Sequence, residues 1–170
     1  MIFLGLGSNL HSSFGDRFVN INLAISYLEQ YGIQIVKRSS FYETPSYPNK
    51  DNPKFINIVI SVKTHLSPID LMSVLLFIEE KLERKRNKKN NPRTCDIDII
   101  DYNNQVLNFQ YKNIDLEIPH KKLIYRNFVL FPLQEIAPSW KHPNTEEIIG
   151  ALIHKLPAED RKSILKVEKN

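Results

Sequence analysis

Residues 55–62 constrain the fold most strongly, because apolar side chains alternate along the whole segment with the period of two that marks a β-strand. One face of the predicted strand is aliphatic and holds Ile56, Ile58, Ile60 and Val62. The other face holds Phe55, Asn57, Val59 and Ser61. We expect the aliphatic face to lie under helices, with Phe55 and Asn57 on the opposite face beside space for a ligand.

Apolar residues at helical spacing occur both before and after this strand in the sequence. The chain predicts a helix over residues 14–31 that ends at Gly32, where a left-handed residue would stop it. A second helix begins after Ser67, which is suited to cap it, with Pro68 at its first position. Its apolar stripe consists of Leu71, Val74, Leu75, Ile78 and Leu82.

The remaining elements complete the order βαββαβ. Strands are predicted over residues 2–6, 33–42 and 95–100, a hairpin over 105–118, a helical stretch over 127–136, a helix from near Thr145, and a loosely held polar tail after Pro157. This order predicts an α+β fold, a ferredoxin-like sandwich whose mostly antiparallel sheet carries helices on one face and an added hairpin. The length of 170 residues predicts a single domain over 1–170.

Composition excludes several classes of protein. Hydrophobic residues make up 42% of the chain, which is enough for a real core. The single cysteine, Cys95, excludes an internal disulfide framework, and the acidic residues after it disfavour a thiolate nucleophile. With no signal-like start and no long apolar run, we expect a cytoplasmic protein without a membrane partner. We also expect it to act as a monomer.

Residues 84–93 form a cationic segment with six Lys or Arg residues and no acidic residue, whereas the other residues carry a net charge of −2. Such a local positive field attracts phosphates, either of a nucleic acid or of a nucleotide. A solvated surface run is the alternative explanation.

Asp96 and Asp98 follow this segment and are spaced to project from the same face of a strand. Two neighbouring carboxylates repel each other unless a cation neutralises them, and Mg²⁺ prefers such oxygen ligands. An edge strand with a solvated acidic face is the alternative. The nearby Arg93 favours a site for Mg²⁺-bound polyphosphate.

Two further motifs bear on phosphate binding. The Gly5-x-Gly7 pair lacks the third glycine of a dinucleotide fingerprint, and the chain has no Gly-Lys-Ser/Thr sequence, so neither glycine-rich nucleotide loop is predicted. His120 follows Pro119 and precedes Arg126 by six residues, which makes this a second candidate segment for phosphate contacts. The other histidines lack the spacing of a zinc site.

In combination, these motifs resemble the 6-hydroxymethyl-7,8-dihydropterin pyrophosphokinase family across about residues 2–143. The resemblance rests on ordered segments: Gly7-Ser8-Asn9-Leu10, Ser40 to Pro45, Phe55-Ile56-Asn57, Ile78-Glu79, Arg84-x-Arg86, Pro92 to Asp98, Ile118-Pro119-His120, and Arg126 to Leu133.

The resemblance implies a role for each matching residue. Asp96 and Asp98 would hold two Mg²⁺ ions and act in catalysis together with Arg84 and Arg93. ATP, as co-substrate, would be bound by Arg84, Arg86, Arg93, Ile99, His120 and Arg126. The pterin would be bound by Thr44, Pro45, Tyr47, Phe55, Asn57 and Phe128, with the two phenylalanine rings on either side of it.

The resemblance also implies a reaction of folate biosynthesis. The pterin hydroxyl would attack the β-phosphorus of ATP in line, AMP would leave, and Asp98 is the candidate base. The cationic segment would close over ATP. The chain departs from the family at Lys89-Asn90-Asn91, where Arg-Trp-Gly is usual, at Lys121, where an aromatic residue is frequent, and at Leu76, near an expected glutamine.

Three alternatives remain open at this stage. A basic βαββαβ domain also suits an RNA-binding module, although the chain lacks that fold's aromatic strand motif, and the resemblance implies no nucleic-acid partner. Paired carboxylates also occur in Mg²⁺-dependent nucleases. The departures in the cationic segment are compatible with a catalytically weakened pyrophosphokinase relative.

Overall fold

The computed structural model describes residues 1–85, 91–112 and 114–168. Its elements are β1 (Ile2–Ser8), α1 (Arg17–Gln30), β2 (Gln34–Arg38), β3 (Phe41–Thr44), β4 (Phe55–Lys63), α2 (Pro68–Lys81), β5 (Asp96–Tyr102), β6 (Leu107–Tyr111), β7 (Ile114–Ile118), a 3-10 turn (Leu123–Tyr125), α3 (Asn127–Ile136), α4 (Ile149–Lys155), α5 (Ala158–Lys162) and β8 (Leu165–Val167).

The main sheet has the strand order β5-β1-β4-β3-β8, and β2 pairs with the part of β4 beyond β3. Each of these described pairings is antiparallel. Strands β6 and β7 form a separate antiparallel hairpin. The α+β class, the ferredoxin-like order and the added hairpin are therefore confirmed. The single predicted strand over 33–42 is two strands, β2 and β3, separated at Ser39 and Ser40, where the Ser39 hydroxyl accepts the hydrogen bond of Val59 N.

Two hydrophobic cores lie on opposite faces of the sheet. The aliphatic face of β4 packs with α1 and α2 in the first core, as the alternation predicts. The second core joins Phe3, Val59 and Ile100 of the sheet to α3 and α4. The prediction that helices cover only one face was therefore wrong. Because α3 and α4 reach only part of the second face, the rest of that face is left for the functional groups.

The first two helices begin at polar caps. Helix α2 starts as predicted, with the Ser67 hydroxyl accepting a hydrogen bond from Asp70 N. Helix α1 begins at Arg17 and not near Phe14, because Asp16 caps it through Val19 N and Gly15 before it has φ of +147°. Gly32 has φ of +74°, in agreement with the left-handed residue predicted after this helix.

The C-terminal region differs from its prediction. The helix expected near Thr145 begins at Ile149, because His142 Nδ1 accepts from the backbone N–H groups of Asn144 and Thr145 in a turn. The segment after Pro157, predicted to be a loosely held polar tail, instead forms α5 and β8, and β8 pairs with β3. Among the described residues, no helix is both long and apolar enough to cross a membrane.

Candidate active site

Gly7 lies at the centre of the open part of the second sheet face. The strand register pairs Gly7 with Asn57 of β4 on one side and with Asp96 of β5 on the other. A Cβ at position 7 would lie 3.0 Å from Asn57 Oδ1 and 3.6 Å from a ring carbon of Phe55. The missing side chain therefore makes the room in which the Asn57 and Phe55 side chains lie, beside the acidic strand.

Asp96 lies between two arginines. Its Oδ1 is 2.5 Å from Arg84 Nη1, and its Oδ2 is 2.6 Å from Arg93 Nη2. Burial opposes ionisation of Asp96, but the charges of Arg93 and Arg84 outweigh it and lower the pKa of the carboxyl. Asp96 is therefore a carboxylate at neutral pH, and it holds two cations of the predicted phosphate-binding set in place.

Asp98 has a different electrostatic environment. Its carboxylate lies 3.4 Å from Arg126 Nη1, and its side chain is 47% exposed. Partial loss of hydration, followed by repulsion from Asp96, raises the pKa of Asp98, although Arg126 opposes the shift. The pair of carboxylates is thus less fully compensated at Asp98, the position open to a ligand.

His120 lies beside Arg126, with the His120 Nε2 atom 3.4 Å from Arg126 Nη2. Burial and the Arg126 charge lower the pKa of His120 to about 4, so the imidazole is neutral at pH 7. The His120 Nδ1 atom accepts a hydrogen bond from Lys122 N, which puts the ring proton on Nε2. Two neighbouring donors, the imidazole and the guanidinium, can therefore bind one anionic oxygen.

Glu79 is a site residue to which the sequence analysis gave no role. Its side chain is 2% exposed, pairs with Arg84 and accepts a hydrogen bond from Ile97 N at 2.7 Å. Burial lowers the pKa of Arg84, but the charges of Asp96 and Glu79 outweigh burial, so the pKa of Arg84 is raised. Glu79 follows Leu75 by four residues on the buried stripe of α2, so its position indicated a buried charge.

Three predicted pterin-binding residues, Thr44, Phe55 and Asn57, lie on the β3 and β4 side of Gly7, across from the carboxylates. Asn57 and Thr44 are buried, and Asn57 Nδ2 donates to Thr44 Oγ1 at 3.0 Å. Phe55 and Phe128 are half-buried. The Arg93 guanidinium lies 4.9 Å from the centre of the Phe55 ring, and that of Arg126 lies 5.6 Å from the Phe128 ring. Each aromatic residue therefore contacts an arginine that also contacts a carboxylate.

Other predicted site residues lie in less direct positions. Pro45 is half-buried, and Tyr47 is 84% exposed on the loop after β3. The Ile99 side chain is buried in the first core, so Ile99 could reach a nucleotide only through its backbone. Arg86 and the middle of the cationic segment, residues 86–90, lie outside the described residues, as does the predicted closure of this segment over ATP. Burial first, then Glu79 and Asp96, raise the pKa of the Cys95 thiol, as expected for an inert cysteine.

The donor set of the acidic pair fits Mg²⁺. Asp96 and Asp98 offer carboxylate oxygens on one strand face, and Asp98 is the less compensated of the two. Within residues 1–85, 91–112 and 114–168, no group of three or more His, Cys, Asp or Glu residues could hold a metal ion by itself. Mg²⁺ is commonly held by one or two carboxylates together with substrate phosphates and water, and this arrangement matches two carboxylates ringed by arginines.

Comparison with known proteins matches most of the chain to one family. Residues 3–138 match the family described as 7,8-dihydro-6-hydroxymethylpterin-pyrophosphokinase. The chain is similar to the 2-amino-4-hydroxy-6-hydroxymethyldihydropteridine pyrophosphokinases of Synechocystis and Bacillus subtilis. It is 37% identical to the former over 90% of this chain and 74% of the relative, and 36% identical to the latter over 79% and 76%.

Longer proteins contain a similar region. The folic acid synthesis protein fol1 of Schizosaccharomyces pombe is 36% identical over 92% of this chain, but the chain spans only 20% of that relative's length. The crystal structure of wild-type HPPK-DHPS from Plasmodium falciparum has a TM-score of 0.72 over 91% of this chain and 44% of its own, at 18% identity. At that identity the likeness supports the fold alone.

Proposed function

The chain belongs to the 7,8-dihydro-6-hydroxymethylpterin-pyrophosphokinase family, and from this premise we propose that it transfers diphosphate from ATP to 6-hydroxymethyl-7,8-dihydropterin in folate biosynthesis. The products are AMP and the dihydropterin diphosphate. One observation carries the proposal: the arginine-ringed carboxylates of β5 and the Phe55–Asn57 face of β4 lie on either side of Gly7.

The triphosphate is bound by three described arginines and one neutral histidine. Arg84 and Arg93 form ion pairs with Asp96. Arg126 forms an ion pair with Asp98 and also lies beside His120 Nε2. Guanidinium groups suit this role because they keep their charge and can donate two hydrogen bonds to one phosphate. Arg86 and the backbone of Ile99 complete the proposed set.

Asp96 and Asp98 would hold the two proposed Mg²⁺ ions. When bound, Mg²⁺ supplies positive charge that neutralises phosphate oxygens during transfer. Arg84 and Arg93 would exchange their carboxylate partner, Asp96, for phosphate when the nucleotide binds. Glu79 keeps Arg84 next to the site during that exchange, since its buried carboxylate remains a partner.

The pterin ring stacks between Phe55 and Phe128, and its amide and amino edge is bound by Asn57, Thr44 and the main chain of residues 45–47. Aromatic stacking suits a flat heterocycle, and the buried Asn57–Thr44 pair provides hydrogen bonds of defined direction. Because Arg93 contacts Phe55 and Arg126 contacts Phe128, the hydroxymethyl group would lie close to the phosphates.

The reaction is an in-line displacement at the β-phosphorus. The pterin hydroxyl oxygen forms a bond to that phosphorus, the bond from the β-phosphorus to the oxygen bridging the α-phosphate breaks, and AMP leaves with the bridging oxygen. Asp98 is the proposed acceptor of the hydroxyl proton. Positioning and charge neutralisation supply most of the acceleration.

Chromatography of nucleotide products tests this proposal. The protein is mixed with ATP, Mg²⁺ and 6-hydroxymethyl-7,8-dihydropterin, with samples that omit the pterin or the Mg²⁺. The proposal predicts AMP and a pterin diphosphate only in the complete mixture. ADP would contradict the mechanism, and pterin binding without any product would identify a catalytically weakened relative.

The arrangement of the cores supports one pyrophosphokinase domain over residues 1–170, since both cores share a single sheet. We propose that this domain acts as a cytoplasmic monomer without a nucleic-acid partner. Gel filtration at the concentration used for activity, and filter binding to single-stranded RNA at low salt, test the last two points. A dimer peak or salt-dependent RNA retention would contradict them.

A further inference from the structure

We propose that Asn9, in the Gly7-Ser8-Asn9-Leu10 segment, is a positioning residue that couples binding of the nucleotide to binding of the pterin. The inference rests on the proposed function. The Asn9 side chain is 2% exposed and lies just beyond the end of β1, between Arg93 and the loop of residues 45–54. We assign Asn9 no direct contact with ATP or with the pterin, so its effect must pass through these two segments.

One end of the Asn9 amide holds the nucleotide side. Its Oδ1 accepts a hydrogen bond from Arg93 N at 2.7 Å, and the backbone N–H groups of Asn9 and Leu10 donate to Arg93 O at 3.1 and 3.2 Å. Arg93 is thus fixed through both its backbone N–H and its carbonyl. Its side chain contacts Asp96 and lies over Phe55.

The other end of the amide holds the pterin side. Asn9 Nδ2 donates to Ser46 Oγ at 3.2 Å and to Pro53 O at 3.0 Å. Ser46 Oγ itself donates to Pro53 O at 2.6 Å, so the two ends of the loop are joined through one hydroxyl and one amide. Ser46 lies within the segment whose main chain is proposed to bind the pterin edge.

The orientation of the amide follows from its partners. Arg93 N can only donate and Pro53 O can only accept, so the oxygen of Asn9 must face Arg93 and its nitrogen must face the loop. Each end of one rigid planar group therefore holds one substrate-binding segment. A ligand that orders either segment lowers the cost of ordering the other, and this coupling is reciprocal.

The test uses substitutions that separate the two ends. Asn9→Asp keeps an acceptor for Arg93 N but loses both donors to the loop. Ser46→Ala removes the hydroxyl on the loop side and leaves Asn9 in place. Asn20→Asp is the matched control: Asn20 is also fully buried, and its amide donates to Leu10 O and Ser8 Oγ, without contact to Arg93 or the loop.

The readout is the affinity for 6-hydroxymethyl-7,8-dihydropterin, measured by calorimetry with and without Mg²⁺ and α,β-methylene-ATP, whose substituted bridge cannot be cleaved. We expect the nucleotide to tighten pterin binding at least about fivefold in the native protein, the lower end of usual couplings. We expect Asn9→Asp to lose most of this enhancement, Ser46→Ala to lose part of it, and Asn20→Asp to keep it.

An unchanged enhancement in Asn9→Asp would overturn the proposal, as would an equal loss in all three variants or no enhancement in the native protein. If Asn9→Asp does not give a cooperative thermal transition, Ser46→Ala decides alone. The native protein is also assayed for AMP formation. Absence of AMP would count against the proposed function, whereas AMP with an unaltered coupling in Asn9→Asp would count only against Asn9.

Discussion

The two halves of the proposed site differ in how their side chains are held. On the pterin side, Asn57 and Thr44 are neutral, buried and hydrogen-bonded to each other, beside half-buried phenylalanine rings. On the nucleotide side, Arg84, Arg93 and Arg126 already pair with Asp96 and Asp98. The proposed pterin half is thus held by neutral hydrogen bonds, whereas the proposed nucleotide half would have to exchange ion pairs for phosphate and metal to bind.

This difference has an energetic basis. A neutral buried pair needs little reorganisation to accept further hydrogen bonds. Charges removed from water are costly unless they are paired, so the cations and carboxylates of the free protein neutralise one another. We therefore expect substitutions on the nucleotide side to alter both the rate of diphosphate transfer and the ion pairs of the site. Substitutions on the pterin side should alter mainly the affinity for the pterin.

The largest effect is expected from the carboxylates. Asp96→Ala and Asp98→Ala should each lower the rate of diphosphate transfer on the order of a hundredfold to a thousandfold, because charge at the reacting phosphate is no longer neutralised. Initial rates of AMP formation measure this effect. The exposed Asp160→Asn substitution is the control, and unchanged transfer in either alanine variant would refute the metal assignment.

A pterin-selective effect is expected from Phe128. Phe128→Ala should weaken pterin binding about tenfold or more, because an aromatic contact and apolar burial are lost. The same variant should weaken ATP binding less, as measured by separate titrations with each ligand. Phe131→Ala, on the same helix but packed against the second core, is the matched control. Equal weakening of both ligands by Phe128→Ala would exclude Phe128 from the pterin pocket.

A smaller effect is expected where Gly7 makes room for the pterin side. The Cβ of Gly7→Ala would lie 3.0 Å from Asn57 Oδ1, so Asn57 must shift and pterin affinity should fall by about tenfold or less. In Gly5→Ala, the new Cβ would meet the flexible end of Ile100 at 3.1 Å, away from Asn57. Titration with pterin compares the two variants, and equal losses would contradict the assigned role of Gly7.

The smallest effect concerns pH and the His120 ring. Because its pKa in the folded protein is lowered to about 4, the unfolded chain binds this proton first as the pH falls. The contribution of His120 to stability is therefore present above about pH 6.5 and is lost progressively between about pH 6.5 and pH 4.

Urea unfolding of the native protein and of His120→Asn across this range measures the pH effect. The substituted amide cannot titrate and keeps an acceptor for Lys122 N, so the stability of the variant should fall less steeply as the pH is lowered. Parallel stability curves for the two proteins would show that His120 is not held neutral in the fold.

The sequence predicted those parts of the site that depend on local periodicity. The period of two placed Phe55 beside Asn57 and Asp96 beside Asp98, and the predicted strand order agrees with the sheet. The sequence did not predict the strand register that places Gly7 between Asn57 and Asp96. That register depends on pairing between segments that are distant in the chain. Asn9 was recognised only as part of a motif, since its partners Ser46, Pro53 and Arg93 are far away in the chain.

Errors in the fold prediction have similar causes. β8 consists of only Leu165, Lys166 and Val167, which is too short for any period to be recognised. The coverage of the second sheet face by α3 and α4 depends on tertiary packing of Val59 and Ile100 against Trp140 and its neighbours. Glu79, in contrast, stood on the buried stripe of α2, and its charge at that position was a usable signal.

The central claim is that the pterin hydroxyl attacks the β-phosphorus of ATP at the boundary between the two halves. The most direct test is transfer from ATP that carries a radioactive label in its β-phosphate alone, with the pterin product separated from nucleotides by chromatography. The account predicts that the label moves to the pterin and that AMP is unlabelled. Label retained in ADP, with an unlabelled pterin monophosphate, would show attack at the γ-phosphorus and contradict the account.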